Sequence, residues 1–136
     1  TMAFHFPQKV LFKHCDPAGI VFFPRSFEMI NDCVEAFFDL VLDCPFEVLL
    51  QTAGIPTVAI ETEFSSPSRH GDALVLTLCA MRVGTSSFTY IITATCGAQV
   101  RFTAKATVVY TGPDGGSQPW TAALKLKLDA FSGDRT

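Results

Sequence analysis

Apolar and polar positions alternate over residues 4–12 and predict a first strand, with Pro7 confining it to a sheet edge or to a later start. From residue 25 to about 42 the period becomes helical. Phe27, Ile30, Val34, Phe37, Phe38 and Val41 share one face, and Glu28, Asp32, Glu35 and Asp39 form a narrow opposite stripe. Met29, Cys33, Ala36 and Leu40 widen the apolar arc past half the circumference, so something must wrap this helix. A short second helix is expected over residues 45–52, closed by Gly54 and Pro56. Runs rich in β-branched residues then predict strands over 57–65, 73–83, 88–96 and 99–110. Gly84-Thr85-Ser86 and Gly97-Ala98 are short hairpin connections, which makes the strands they join antiparallel. Residues 120–131 predict a terminal helix, with Ser117 as its cap and Pro119 in its first turn.

A strand, a long helix apolar over more than half its surface and a run of antiparallel strands pack consistently in one way: the sheet curls around the helix. That is the α+β hotdog arrangement, expected here as a single domain over residues 1–136. Composition adds a surplus of apolar area. The chain is 49% hydrophobic and only 17% charged, more than a core of this size needs, which points to a subunit interface or a ligand pocket. A net charge of −3 without any run of Lys or Arg argues against a nucleic-acid partner. The longest charge-free stretch, 83–100, contains Gly84, Ser86, Ser87 and several threonines, so it reads as a hairpin rather than a membrane span. Five widely spaced cysteines, with no Cys-x-x-Cys pair and no histidines at zinc-finger spacing, point to reduced thiols in a cytoplasmic protein with neither a metal nor a cofactor. No signal-peptide pattern opens the sequence.

The candidate chemistry lies in His14-Cys15-Asp16-Pro17-Ala18-Gly19-Ile20-Val21-Phe22-Phe23-Pro24. An Asp in a Pro-Gly loop is ordinarily a turn former bonded to nearby backbone N–H groups. Asp16, however, lies just ahead of the long helix, where unpaired N–H groups of Val21, Phe22 and Phe23 are expected to face a developing oxyanion. Ile20, Val21, Phe22 and Phe23 supply an apolar wall suited to an acyl or aryl group. A carboxylate, backbone donors and an apolar pocket are the parts that acyl transfer needs.

The segment from Cys15 to Pro24 resembles the active-site loop of the 4-hydroxybenzoyl-CoA thioesterase family. The resemblance extends to Gly54-Ile55-Pro56-Thr57-Val58, similar to that family's approach to its second strand, to the Gly71-Asp72 turn and to the hairpin Val83-Gly84-Thr85-Ser86-Ser87-Phe88. It implies an acyl-CoA thioesterase that hydrolyses an aryl or short-chain thioester to acid and CoA. Asp16 takes the place of the family's carboxylate, as nucleophile or as general base, and the Phe23 N–H that of the donor to the thioester carbonyl. Ile20, Val21, Phe22, Phe27, Asn31 and Pro56 fall in the implied substrate-binding set, in a homodimer or homotetramer whose sheets join edge to edge. Asn31 stands where the 4-hydroxybenzoyl enzymes carry an acidic residue, which weakens the case for that particular substrate. Gly84, Thr85 and Ser86 replace basic residues that some relatives set against the CoA phosphates; Arg82, Arg69, Lys105 and Arg101 are the alternatives, each also readable as an ordinary surface charge.

Other constellations carry less. His5-Phe6-Pro7 resembles the histidine loop of hotdog dehydratases without the glycine and proline that should follow it. His14 is a candidate second proton carrier or a loop histidine, and Cys15 has only the adjacent His14 to activate it. No Gly-x-Ser-x-Gly elbow surrounds the serines. Two other functions stay open beside the acyl-CoA thioesterase: a carrier-protein thioesterase, and an acyl-CoA-binding hotdog module without turnover.

Overall fold

A computed structural model describes residues 2–133; residue 1 and residues 134–136 of the single-domain reading lie outside the described residues. The elements follow the order β1 (Ala3–Lys9), a 3-10 turn (Phe12–His14), α1 (Phe23–Leu40), α2 (Phe46–Leu49), β2 (Thr57–Phe64), β3 (Ala73–Val83), β4 (Ser87–Cys96), β5 (Gln99–Val109) and α3 (Ala122–Ser132). The strands form one five-stranded sheet in the order β1-β3-β4-β5-β2, antiparallel throughout. β1 is an edge strand, where Pro7 costs no interior ladder bond. β2 is the other edge, and nearly all of it is exposed.

The sheet curls around α1 as the hotdog arrangement requires. Leu74, Leu76 and Leu78 of β3, Phe88, Tyr90 and Ile92 of β4, and Phe102, Ala104 and Ala106 of β5 all point at the helix. The alternation along these strands is the period-2 signal of a half-buried antiparallel sheet. Phe37 is the hub. Its ring meets Phe4 of β1 at 5.9 Å, stacks on Phe88 of β4 at 5.7 Å and packs edge-on against Phe131 of α3 at 4.7 Å. Full burial of each such side chain stabilises the fold by roughly 1.5–3 kcal/mol, so α1 owes its position to packing rather than to intrinsic helix propensity.

The fold departs from the sequence reading in three places. The buried face of α1 is Ser26, Met29, Ile30, Cys33, Val34, Phe37 and Phe38, while Phe27 and Val41 are only half-buried. The helix is rotated toward Met29 and Cys33, which the broad apolar arc permits, and Ser26 goes inside with them at i, i+3 and i, i+4 spacing. The wrapping is shared by α3, through Leu128 and Phe131, while β2 stands largely outside the core. Finally, Thr121 rather than Ser117 caps α3, its hydroxyl accepting the Leu124 N–H at 3.2 Å. Trp120 belongs to the linker, where its ring Nε1–H donates to the Ser87 carbonyl at 3.1 Å and its backbone N–H to Thr85 at 2.9 Å.

Candidate active site

The segment between β1 and α1 doubles back on itself. Asp16 N–H donates to the Ile20 carbonyl at 3.0 Å and Gly19 N–H to the Asp16 carbonyl at 2.9 Å, a tight turn that Gly19 closes at φ +81°. A side chain at Gly19 would meet no neighbour, so its freedom to adopt a left-handed φ is what the turn uses. The Asp16 carboxylate accepts the Ala18 N–H at 2.9 Å, the turn-forming bond, and remains half-buried rather than sealed. One oxygen is thereby oriented by the loop.

Of the three N–H groups expected to be free at the start of α1, two are already spoken for. Val21 donates to the Ser68 carbonyl at 2.8 Å and Phe22 to the His14 carbonyl at 2.9 Å. The Phe23 N–H has no acceptor among the described residues, and the next residue, Pro24, has no N–H to offer. An unpaired backbone donor therefore sits at the positive end of an 18-residue helix, on a residue 58% exposed.

Beside this donor lies a cavity of about 290 Å³. Val21, Phe23, Phe64 and Phe102 form its apolar side, with the Phe23 and Phe64 rings 6.3 Å apart and those of Phe64 and Phe102 6.0 Å apart. Ser26 and residues 65–68 (three further serines and Pro67) form the rest. Val21 and Phe23 are thus the expected pocket residues that the fold brings together here. Phe22 is exposed beside them, its ring 5.8 Å from that of Phe23, and Ile20 pairs with Arg69. Phe27 and Asn31 line a separate groove on α1 with Lys13, Glu28 and Asp32. Pro56 precedes β2, at the opposite end of that strand from Phe64, its carbonyl accepting the Val109 N–H at 3.1 Å.

The loop that walls the cavity is braced by a charge. The Arg101 guanidinium, its side chain only 12% exposed, donates to Asp72 at 2.7 Å and to the Ser68 hydroxyl and the Pro67 carbonyl at 3.2 Å each. Hydrogen bonds from the Arg69 N–H and from Arg101 hold the Asp72 carboxyl below its ordinary pKa. The Arg101 carbonyl in turn accepts the N–H groups of Ser65 and Ser66. Arg101 is therefore committed inside the protein and is not a spare surface charge. Because Ser68 carries Val21 and Gly19 carries His70 (3.4 Å), this brace reaches the turn that holds Asp16. The sequence offers Arg101 only as a possible contact for the CoA phosphates, and does not reveal its bracing role or the part of Phe64 and Phe102 in the wall, because these depend on the long-range pairing of β2 with β5.

Neither alternative nucleophile system forms. His14 is buried, and its Nδ1 accepts the Leu11 N–H at 2.9 Å, which fixes the proton on Nε2. Burial, with Lys13 beside it, lowers its pKa. The Cys15 thiol points at the Leu11 carbonyl, 3.6 Å away, and burial pushes the Cys33 thiol up to about 12. Among the described residues no group of His, Cys, Asp or Glu is placed to hold a metal ion, and no helix is long and apolar enough to cross a membrane.

No protein-family model matches the sequence, and no curated protein matches it. Solved structures do match the fold. A 1,4-dihydroxy-2-naphthoyl-CoA thioesterase from Synechocystis superposes with a TM-score of 0.85 at 18% identity, over 93% of this chain and 95% of its own. A thioesterase-superfamily protein from Jannaschia gives 0.86 at 24% identity, over 95% and 92%. A Staphylococcus aureus protein solved in complex with CoA gives 0.88 at 15% identity, over 99% and 87%. The chain has the α+β hotdog fold, shared with the Synechocystis and Jannaschia thioesterase structures.

Proposed function

We propose that this protein is an acyl-CoA thioesterase in which Asp16 is the catalytic carboxylate and the Phe23 N–H is the oxyanion donor. What supports the proposal is that one short segment carries both an oriented, half-buried carboxylate and, at the start of α1, an unpaired N–H on Phe23, a residue that lines an apolar-walled cavity. With the acyl group in the cavity, the thioester carbonyl oxygen approaches the Phe23 N–H, which is worth most as the oxygen gains charge. Asp16 then either attacks the carbonyl carbon, giving an anhydride that water cleaves, or takes a proton from the attacking water. In both routes the CoA thiolate leaves, and the products are the free acid and CoA. Resemblance to CoA-binding and CoA-thioester-cleaving structures favours a CoA ester over a carrier-protein ester. A binding module without turnover would have no use for a carboxylate beside the thioester, where desolvation penalises it.

The exposed edge of β2, with Ile60 and Phe64 uncovered and the cavity at its end, supports a dimer joined along β2. Free-thiol release from a panel of benzoyl, hydroxybenzoyl, phenylacetyl and short to medium aliphatic CoA esters tests the activity. Turnover of at least one ester at a kcat near or above about 1 s⁻¹, ordinary for an enzyme, is expected. Stoichiometric binding without thiol release from any ester would favour the binding module.

A further inference from the structure

Ser26 is 3% exposed, lines the cavity beside Phe23, and its hydroxyl has no hydrogen-bond partner among the described residues. A serine within a helix ordinarily returns its hydroxyl to the carbonyl four residues back. Here that carbonyl belongs to Phe22 and accepts the Arg25 N–H at 2.8 Å, and Ser26 makes no bond to it. The residue is buried, but its hydroxyl oxygen is not sealed: among the described residues Thr62 Oγ1 is the buried side-chain oxygen left without a partner, so the Ser26 hydroxyl keeps accessible surface toward the cavity it lines. Helix packing alone gives no reason for a polar group on the face shared with Met29 and Ile30. The remaining neighbour of the hydroxyl is the cavity itself.

The size and lining of the cavity narrow what it holds. An apolar cavity of about 150 Å³ takes up benzene, so one of about 290 Å³ has room for a ring, or a short branched chain, carrying a substituent. Its walls are two-sided: Phe23, Phe64 and Phe102 for an apolar body, and Ser26, Ser65 and Ser66 for something polar. From the proposed thioesterase reading, on which this inference rests, we propose that Ser26 is a specificity-determining residue. Its hydroxyl hydrogen-bonds an oxygen substituent on the acyl group, so the preferred substrate is an oxygen-bearing acyl-CoA rather than the plain hydrocarbon acid's ester. Ser26 lies one helical turn beyond the Phe23 N–H, so the thioester oxygen and the substituent are gripped from the same end of α1.

The discriminating experiment compares matched pairs. Benzoyl-CoA is set against its 2-, 3- and 4-hydroxy counterparts, and butyryl-CoA against 3-hydroxybutyryl-CoA, in the parent, Ser26→Ala and Ser26→Thr. The readouts are the kcat/KM ratio within each pair and, in the Asp16→Asn background where the ester persists, the Kd ratio. At least one hydroxylated ester is expected to be preferred, and Ser26→Ala is expected to lower that preference by about three- to tenfold, the worth of one neutral hydrogen bond. Ser26→Thr, which restores the hydroxyl, recovers it in part. Equal ratios in the parent and Ser26→Ala, by rate and by affinity, would overturn the assignment. A parent without turnover would count against the thioesterase reading only, since the affinity ratios still decide the role of Ser26.

Discussion

Asp16, His14 and Phe23 lie within ten residues of one another, and their environments separate their roles. Asp16 keeps one carboxylate oxygen on a backbone donor and stays open to the surface, whereas His14 is enclosed, with its Nδ1 taken up by the Leu11 N–H. His14 is therefore a structural acceptor that bends the chain so that its own carbonyl can take the Phe22 N–H, leaving Phe23 as the free donor. Protonating Nδ1 would break the bond to Leu11. Burial lowers the folded-state pKa, so the unfolded chain takes up a proton near the ordinary value of 6.5 while the folded chain does not. Stability is consequently flat above that pH and declines as pH falls below it, until folded His14 protonates as well. His14→Asn offers an amide oxygen to the same N–H and does not titrate. Thermal melts between pH 7.5 and 5.5 should show a fall in the parent and a shallower fall in His14→Asn; identical slopes would remove His14 from this role.

At the scale of elements, β2 is the segment whose surroundings are least complete. It carries Val58, Ile60 and Phe64 exposed on a sheet edge, a combination that isolated proteins avoid. Ile60→Lys should therefore move the protein from dimer or tetramer to monomer in sedimentation at micromolar concentration. A parent that is already monomeric there would contradict the proposed interface. The elements themselves were largely readable from the sequence. The hairpins at Gly84 and Gly97 and the strands they join occur where β-branched alternation and turn chemistry place them. What periodicity could not supply was the rotation of α1, because an apolar arc wider than half a turn leaves the buried centre undetermined. Packing by α3 and the sheet decided it, and Ser26 came inside as a result. Capping chemistry read from the sequence likewise placed the start of the terminal helix at Ser117, whereas the anchoring of Trp120 on the β3–β4 hairpin moves that start to Thr121.

Taken as a whole molecule, the fold brings two distant stretches together: the segment that runs from the Asp16 turn into α1, and the loop after β2 held by Arg101, joined where the Val21 N–H donates to the Ser68 carbonyl. The local motif from Cys15 to Pro24 was legible because carboxylate, turn and helix start are neighbours in sequence. The opposite wall was not, since Phe64, residues 65–68 and Phe102 reach it only through the pairing of β2 with β5. The account therefore turns on whether the legible half carries the chemistry. Asp16→Asn preserves the side chain's shape and its bond to the Ala18 N–H while removing the charge that both proposed routes need. The measurement is the rate of thiol release from the best acyl-CoA ester by parent and variant, with thermal melting and ligand Kd taken on the same preparations. The account predicts a folded variant that binds the ester as well as the parent does and is slower by about a hundredfold or more, the contribution of a positioned base being about 10²–10⁴. A folded Asp16→Asn variant that releases thiol at the parental rate would contradict it.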